Sequence, residues 1–193
     1  MRVAGVDLSA SKSKPSYCCL LNSEEACILE LSSIDEIVKA IVEFRPQVAA
    51  IDAPLSLPEG NKPFRTFEYE AIREGARLLP LTLKGMRELA AMGRMLAAKL
   101  EAEKLDVIET HPASAALFLG RRNTVELARQ ATGLTLRKDE ADAITCCIVA
   151  MLFIAGKCRV YGGNPRFVLP EKHASRVASS RSCIKRVLRC NYR

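Results

Sequence analysis

Three short apolar runs that each close on an acid stand out along the chain. Arg2–Leu8 (RVAGVDL), Gln47–Leu55 (QVAAIDAPL) and Leu105–Thr110 (LDVIET) have the length and continuity of buried strands, and they end around Asp7, Asp52 and Glu109. Tyr17–Leu21 and Cys27–Leu31 read as two more strands, joined by the polar turn 22–25. Ser33–Phe44 places apolar residues at 34, 37, 38, 41 and 42, which is helical spacing. Ser32 or Ser33 serves as its N-cap, and Pro46 follows it. Residues 62–104 read as two helices broken near Leu79–Leu83, where Pro80 interrupts the pattern. Further helices are expected at 113–119 and 123–131, and a strong one from 137 to 155.

This order bounds the topology. The first three strands have short connections and pair antiparallel through hairpins. The last two return through helical crossovers and so lie parallel. The expected fold is α/β: a mixed five-stranded sheet, three antiparallel strands then two parallel, flanked by helices.

Composition narrows the class without changing it. A chain of 193 residues supports one well-buried domain, expected over 1–170. Its 49% apolar and 26% charged content excludes wholesale disorder. Aromatics make up 5%, with no Trp, which argues against a base-stacking platform. The longest apolar run, 143–156, is too short to span a bilayer and suits a core helix. Asp7 interrupts the region where an export signal needs apolar residues, so a soluble cytoplasmic protein without a membrane partner is expected. Of eight cysteines, Cys18–Cys19 and Cys146–Cys147 are adjacent pairs, there is no CxxC, and there are two histidines. That pattern argues against structural zinc and for small buried hydrophobes. GxxxxGK[ST] and GxSxG are also missing, which removes a P-loop and acyl transfer by a nucleophile elbow.

Charge is unevenly placed. Residues 171–193 carry net +6 of the chain's +7. They read as a basic tail, either a solvated extension or a grip for an anionic partner such as nucleic acid through Lys185, Arg186 and Arg189.

The acids are the candidate chemistry. A lone strand-end Asp is commonly a turn residue, but Asp7, Asp52 and Glu109 end three strands of one predicted sheet. Asp139 and Asp142, three apart in DEADA, share a face at the start of the strong helix. Converged carboxylates repel one another unless a cation or proton intervenes. Hard oxygen donors select Mg²⁺ or Mn²⁺, and paired ions of this kind stabilise phosphodiester hydrolysis. Secondary candidates are Lys12 in the polar loop after Asp7, and Arg65, Tyr69, Arg73 and Arg77, which recur every fourth residue and form one stripe if that region is helical. Its glutamates, Glu70 and Glu74, can pair with Arg73 and Arg77, which favours a solvated ion-paired face over a phosphate-holding one. His111 stands as a proton carrier, a phosphate contact or a structural hydrogen bonder.

The segments GVDLSASKSK, AAIDAPLSLP, VIETHPASAALFLG and DEADAITC, in that order, resemble the domain-of-unknown-function 429 family, whose members are described as predicted nucleases of RNase H-like fold. The resemblance covers about residues 1–170. The two aspartates opening a buried helix also resemble the Holliday-junction resolvase branch of that superfamily. The resemblance implies that Asp7 bridges metal ions, that Asp52 is the second acid, and that Asp142 with Asp139 completes the shell. Glu109 fits the family's ETHP segment and has no clear equivalent in the resolvases; it is taken as an extra ligand or base. The implied function is a metal-dependent nuclease. A phosphotransferase built on the same sheet and a catalytically idle nucleic-acid-binding protein are the alternatives.

Overall fold

β1 (Arg2–Asp7), β2 (Ser16–Asn22) and β3 (Glu25–Leu31) form an antiparallel meander in the computed structural model, which describes residues 1–11, 13–23, 25–172 and 184–190. α1 (Ile34–Phe44) begins at Ser33, whose hydroxyl accepts from the Glu36 amide while the Glu36 carboxylate accepts from the Ser33 amide. It crosses to β4 (Val48–Asp52), parallel to β1. α2 (Thr66–Arg73) and α3 (Lys84–Ala102) lead to β5 (Val107–Glu109), parallel to β4. α4 (Pro112–Phe118), α5 (Thr124–Thr132) and α6 (Lys138–Ile154) follow. The five expected strands are therefore present with the expected directions.

The sheet is larger than five strands. β6 (Cys158–Tyr161) and β7 (Phe167–Pro170) form a hairpin that adds to β5, and β8 (Arg186–Cys190) pairs parallel with β3. The observed order is β6-β7-β5-β4-β1-β2-β3-β8, eight strands among the described residues. Residues 186–190 of the basic segment thus lie in the sheet, with Ile184 just before them buried and Cys190 disulfide-bonded to Cys27 of β3. Two apolar layers cover the faces: α1 and α3 on one side, and α4, α5 and α6 on the other. Cys18, Cys19, Cys146 and Cys147 are free thiols buried in these layers. No described helix is long and apolar enough to cross a membrane.

α6 lies close against the sheet because β1 leaves room for it. A Cβ on Gly5 would overlap the backbone carbonyl of Ala143 and the backbone nitrogen of Cys147, neither of which can swing aside. Gly5→Ala is expected to push α6 off the strands and cost about 3 kcal/mol or more. Urea denaturation checks this; a loss under about 0.5 kcal/mol would show that the contact yields.

Candidate functional site

The parallel register of β1 and β4 sets Asp7 directly opposite Asp52, so two acids leave the sheet at one end on neighbouring strands. α6 starts at the same end. Its buried stretch Glu140–Ala150 holds the helix on the sheet and aims its first turns at the strand ends. One carboxylate oxygen from each of Asp7, Asp139 and Asp142 lies within 4.8 Å of the others. Asp142 is buried, Asp7 half-buried and Asp139 exposed, so the trio has a solvent side. Asp52 stands beside it.

The electrostatics follow from this crowding. Burial, then the charges of Asp142 and Asp139, push the Asp7 carboxyl up to about 7. Burial, then the charges of Asp7 and Asp142, push Asp52 well above the usual carboxylate range. Lys138 offsets part of the excess: its Nζ donates to Asp142 Oδ2 at 2.6 Å, and its charge favours ionised Asp7 and Asp52. Three hard oxygen donors around negative charge that Lys138 offsets only in part could hold a metal cation.

Glu109 is engaged elsewhere. Arg65 Nη1 donates to Glu109 Oε2 at 2.7 Å and Nη2 donates to Glu109 Oε1, while the Leu55 amide donates to Oε2 at 2.8 Å. Arg65 also holds Glu68, with Nη2 to Oε1 at 2.7 Å, and Ser56 Oγ at 3.1 Å. All three charged side chains are buried. Burial pushes the Glu109 carboxyl up, and Arg65 with the Leu55 amide pulls it back. This cluster ties the loop leaving Asp52 to the end of β5.

The expected arginine stripe does not form. Arg65 is the entry residue of α2 and turns inward, and the helix stops at Arg73, before Arg77. Glu70 and Glu74 pair with Arg159 of β6 instead of with Arg73 and Arg77. Arg73 and Arg77 are exposed, the latter beside Lys172 in a separate cavity. In the basic segment, Arg189 donates to both oxygens of buried Glu140, at 2.7 and 3.1 Å. Arg186 lies 3.8 Å from Glu25, and Lys185 is exposed. Lys12 lies outside the described residues.

His111 caps α4. The Arg77 amide donates to Ser114 Oγ at 2.9 Å, and that hydroxyl contacts His111 Nδ1 at 2.8 Å. Burial pushes the imidazole down to about 4.

Sequence reasoning missed the cations at the start of α6. Arg137 and Arg189 both hold Glu140, whose carboxyl they pull down to about 2 with Arg189 foremost, and Lys138 holds Asp142. The visible signal was the RK pair directly before DEADA.

No protein-family model and no curated protein matches the chain, so the resemblance to the domain-of-unknown-function 429 family has no matching model behind it. Solved structures do match. Thermus thermophilus RuvC in complex with Holliday junction substrate is similar over 81% of this chain and 97% of its own, with a TM-score of 0.52 at 14% identity. A second Thermus thermophilus RuvC structure has the same coverage, a TM-score of 0.48 and 15% identity. The first likeness shows the fold: an α/β mixed sheet of the RuvC kind, which is RNase H-like.

Proposed function

We propose that the protein is a divalent-metal-dependent nuclease that hydrolyses phosphodiester bonds of DNA or RNA. The observation that carries this reading is the meeting of Asp7, Asp139 and Asp142, from a strand end and a helix start, in one partly open group. The RuvC neighbour, seen with a Holliday junction substrate, supports a nucleic-acid partner and makes branched DNA the first substrate to try.

In this reading Asp7, Asp139 and Asp142 hold the ion, with Asp52 beside them. A bound Mg²⁺ or Mn²⁺ supplies Lewis-acid polarisation of a phosphate oxygen and a more acidic water. Asp52, on the neighbouring strand, would accept the proton of the attacking water at its carboxylate oxygen once a bound cation offsets the burial and the neighbouring charges that keep it protonated. Exposed Arg137 and Arg189, anchored on Glu140, set positive charge at the rim where phosphates arrive, with Lys185 and Arg186 on the adjoining edge. Glu109 is assigned to hold Arg65 and the loop after Asp52. The test is incubation with single-stranded, duplex and branched DNA and with RNA, in Mg²⁺ or Mn²⁺. Cleavage of at least one substrate, stopped by a chelator, is expected; no cleavage with either ion contradicts the reading.

The site also predicts a pH dependence. A folded-state carboxyl at about 7, against an ordinary 3.8, keeps a proton that the unfolded chain has lost. Stability therefore falls as pH rises through that window. In chelator, the melting temperature is expected to drop by a few degrees from about pH 5 to about pH 8. Millimolar Mg²⁺ should remove most of that drop, because a cation holds Asp7 ionised in the folded state. Identical profiles with and without Mg²⁺ would speak against a specific ion site.

A further inference from the structure

A cavity of about 180 Å³ opens beside Asp52, lined also by Thr110 and His111. Its apolar lining includes Leu78 and Leu79 from the loop before α3, Met86 and Leu89 from α3, and Phe167 from β7. The volume is below the range of about 300–1,000 Å³ that takes drug-sized ligands. It suits one heteroaromatic ring and is too small for a base pair.

The polar rim is specific in kind. His111 Nδ1 accepts from the Ser114 amide at 3.3 Å and so carries no proton, which makes the Ser114 hydroxyl, itself accepting the Arg77 amide, the donor to Nδ1. The imidazole therefore carries its proton on Nε2, and among the described residues that N–H has no partner. Thr110 Oγ1 donates to the Val168 carbonyl at 2.9 Å, which leaves its lone pairs to accept. Asp52 adds a carboxyl oxygen that can accept at the rim. Glu68 and Glu109 also line the cavity, but Arg65 already holds their carboxylates, so apolar walls meet a rim whose free groups are an imidazole N–H and the oxygens of Thr110 and Asp52, adjoining the proposed reaction centre.

We propose that this cavity takes a single unstacked nucleobase, that of the nucleotide next to the cleaved phosphodiester. A base is apolar on both faces and carries donors and acceptors on its edge, which matches the walls and the rim in turn. Because a base is covalently tethered within one nucleotide of its phosphate, the phosphate lies at the acidic trio while its base passes Asp52 into the cavity. The substrate class that follows is nucleic acid with an unpaired or easily extruded base at the cut. The proposal deepens the nuclease reading and rests on it.

The experiment compares single-turnover cleavage of an intact strand with one carrying an abasic nucleotide beside the cut. Fluorescence of 2-aminopurine at the same position is followed in parallel. For the wild-type chain, the abasic strand is expected to be cut about tenfold more slowly, and 2-aminopurine to brighten on binding. Leu79→Trp, at a side chain 57% exposed, and Met86→Trp fill the cavity. Both should abolish the brightening and cut the two strands alike at the slower rate, with melting temperatures unchanged. Equal cleavage of intact and abasic strands by the wild type overturns the base cavity and leaves the nuclease reading standing. Brightening that survives both tryptophans also overturns it. No cleavage of either strand overturns both.

Discussion

Arg65→Met is expected to destabilise the protein by about 3–5 kcal/mol, the largest stability effect of any single charge removal we foresee. The guanidinium faces Glu68 and Glu109, all three side chains being 4% exposed, and its loss leaves two carboxylates buried without a counter-charge. Both would protonate or draw in water, and either response loosens the tie between β5 and the loop after Asp52. Denaturant unfolding at neutral pH measures the effect. Adding Glu109→Gln to Arg65→Met should recover part of the loss, because it removes one stranded charge. A single-variant cost under about 1 kcal/mol would show that the cluster is wetter than its burial indicates.

Asp7→Asn is expected to separate chemistry from stability. Cleavage should fall by about a thousandfold, equivalent to about 4 kcal/mol, because a central ion ligand is lost while side-chain shape is kept. Nucleic-acid binding should stay close to that of the parent, since the rim cations are untouched. The metal-free variant should melt above the parent at about pH 8, because the carboxyl that burial and Asp142 push up to about 7 is no longer forced to ionise in the folded state. Slower cleavage with a higher metal-free melting temperature is a pair that general unfolding does not produce. Cleavage at the parental rate would remove Asp7 from the reaction.

The parts of the fold that were legible in the sequence are those with long, regular patterns. β1, β4 and β5 announce themselves as apolar runs ending on acids, α1 by its apolar period and Ser33 cap, and α6 by an apolar stretch too short for a bilayer. β6 and β7 have four residues each, flanked by Gly162, Gly163 and Pro165, too little for a period to show. β8 has a strand pattern, Val187 and Leu188 between Arg186 and Arg189, but it sits in a segment whose charge dominates the reading.

The site divides the same way. Strand-end and helix-start acids converge because sheet register and helix phase are local rules. The Arg65 stripe does not form because α2 ends at Arg73, with Gly75 just beyond at φ 103°, and because Glu109 draws Arg65 inward from 44 residues away. That pairing is tertiary, as is the hold of Arg189 on Glu140 across 49 residues. No spacing rule reports either.

The most direct measurement of the central claim is the anomalous scattering of Mn²⁺ in crystals of the full chain. Density is predicted within ligand distance of Asp7, Asp139 and Asp142 at once, with the Lys138 ammonium displaced from Asp142 Oδ2. Crystals saturated with Mn²⁺ that show no such density, and Lys138 still bound to Asp142, would contradict it.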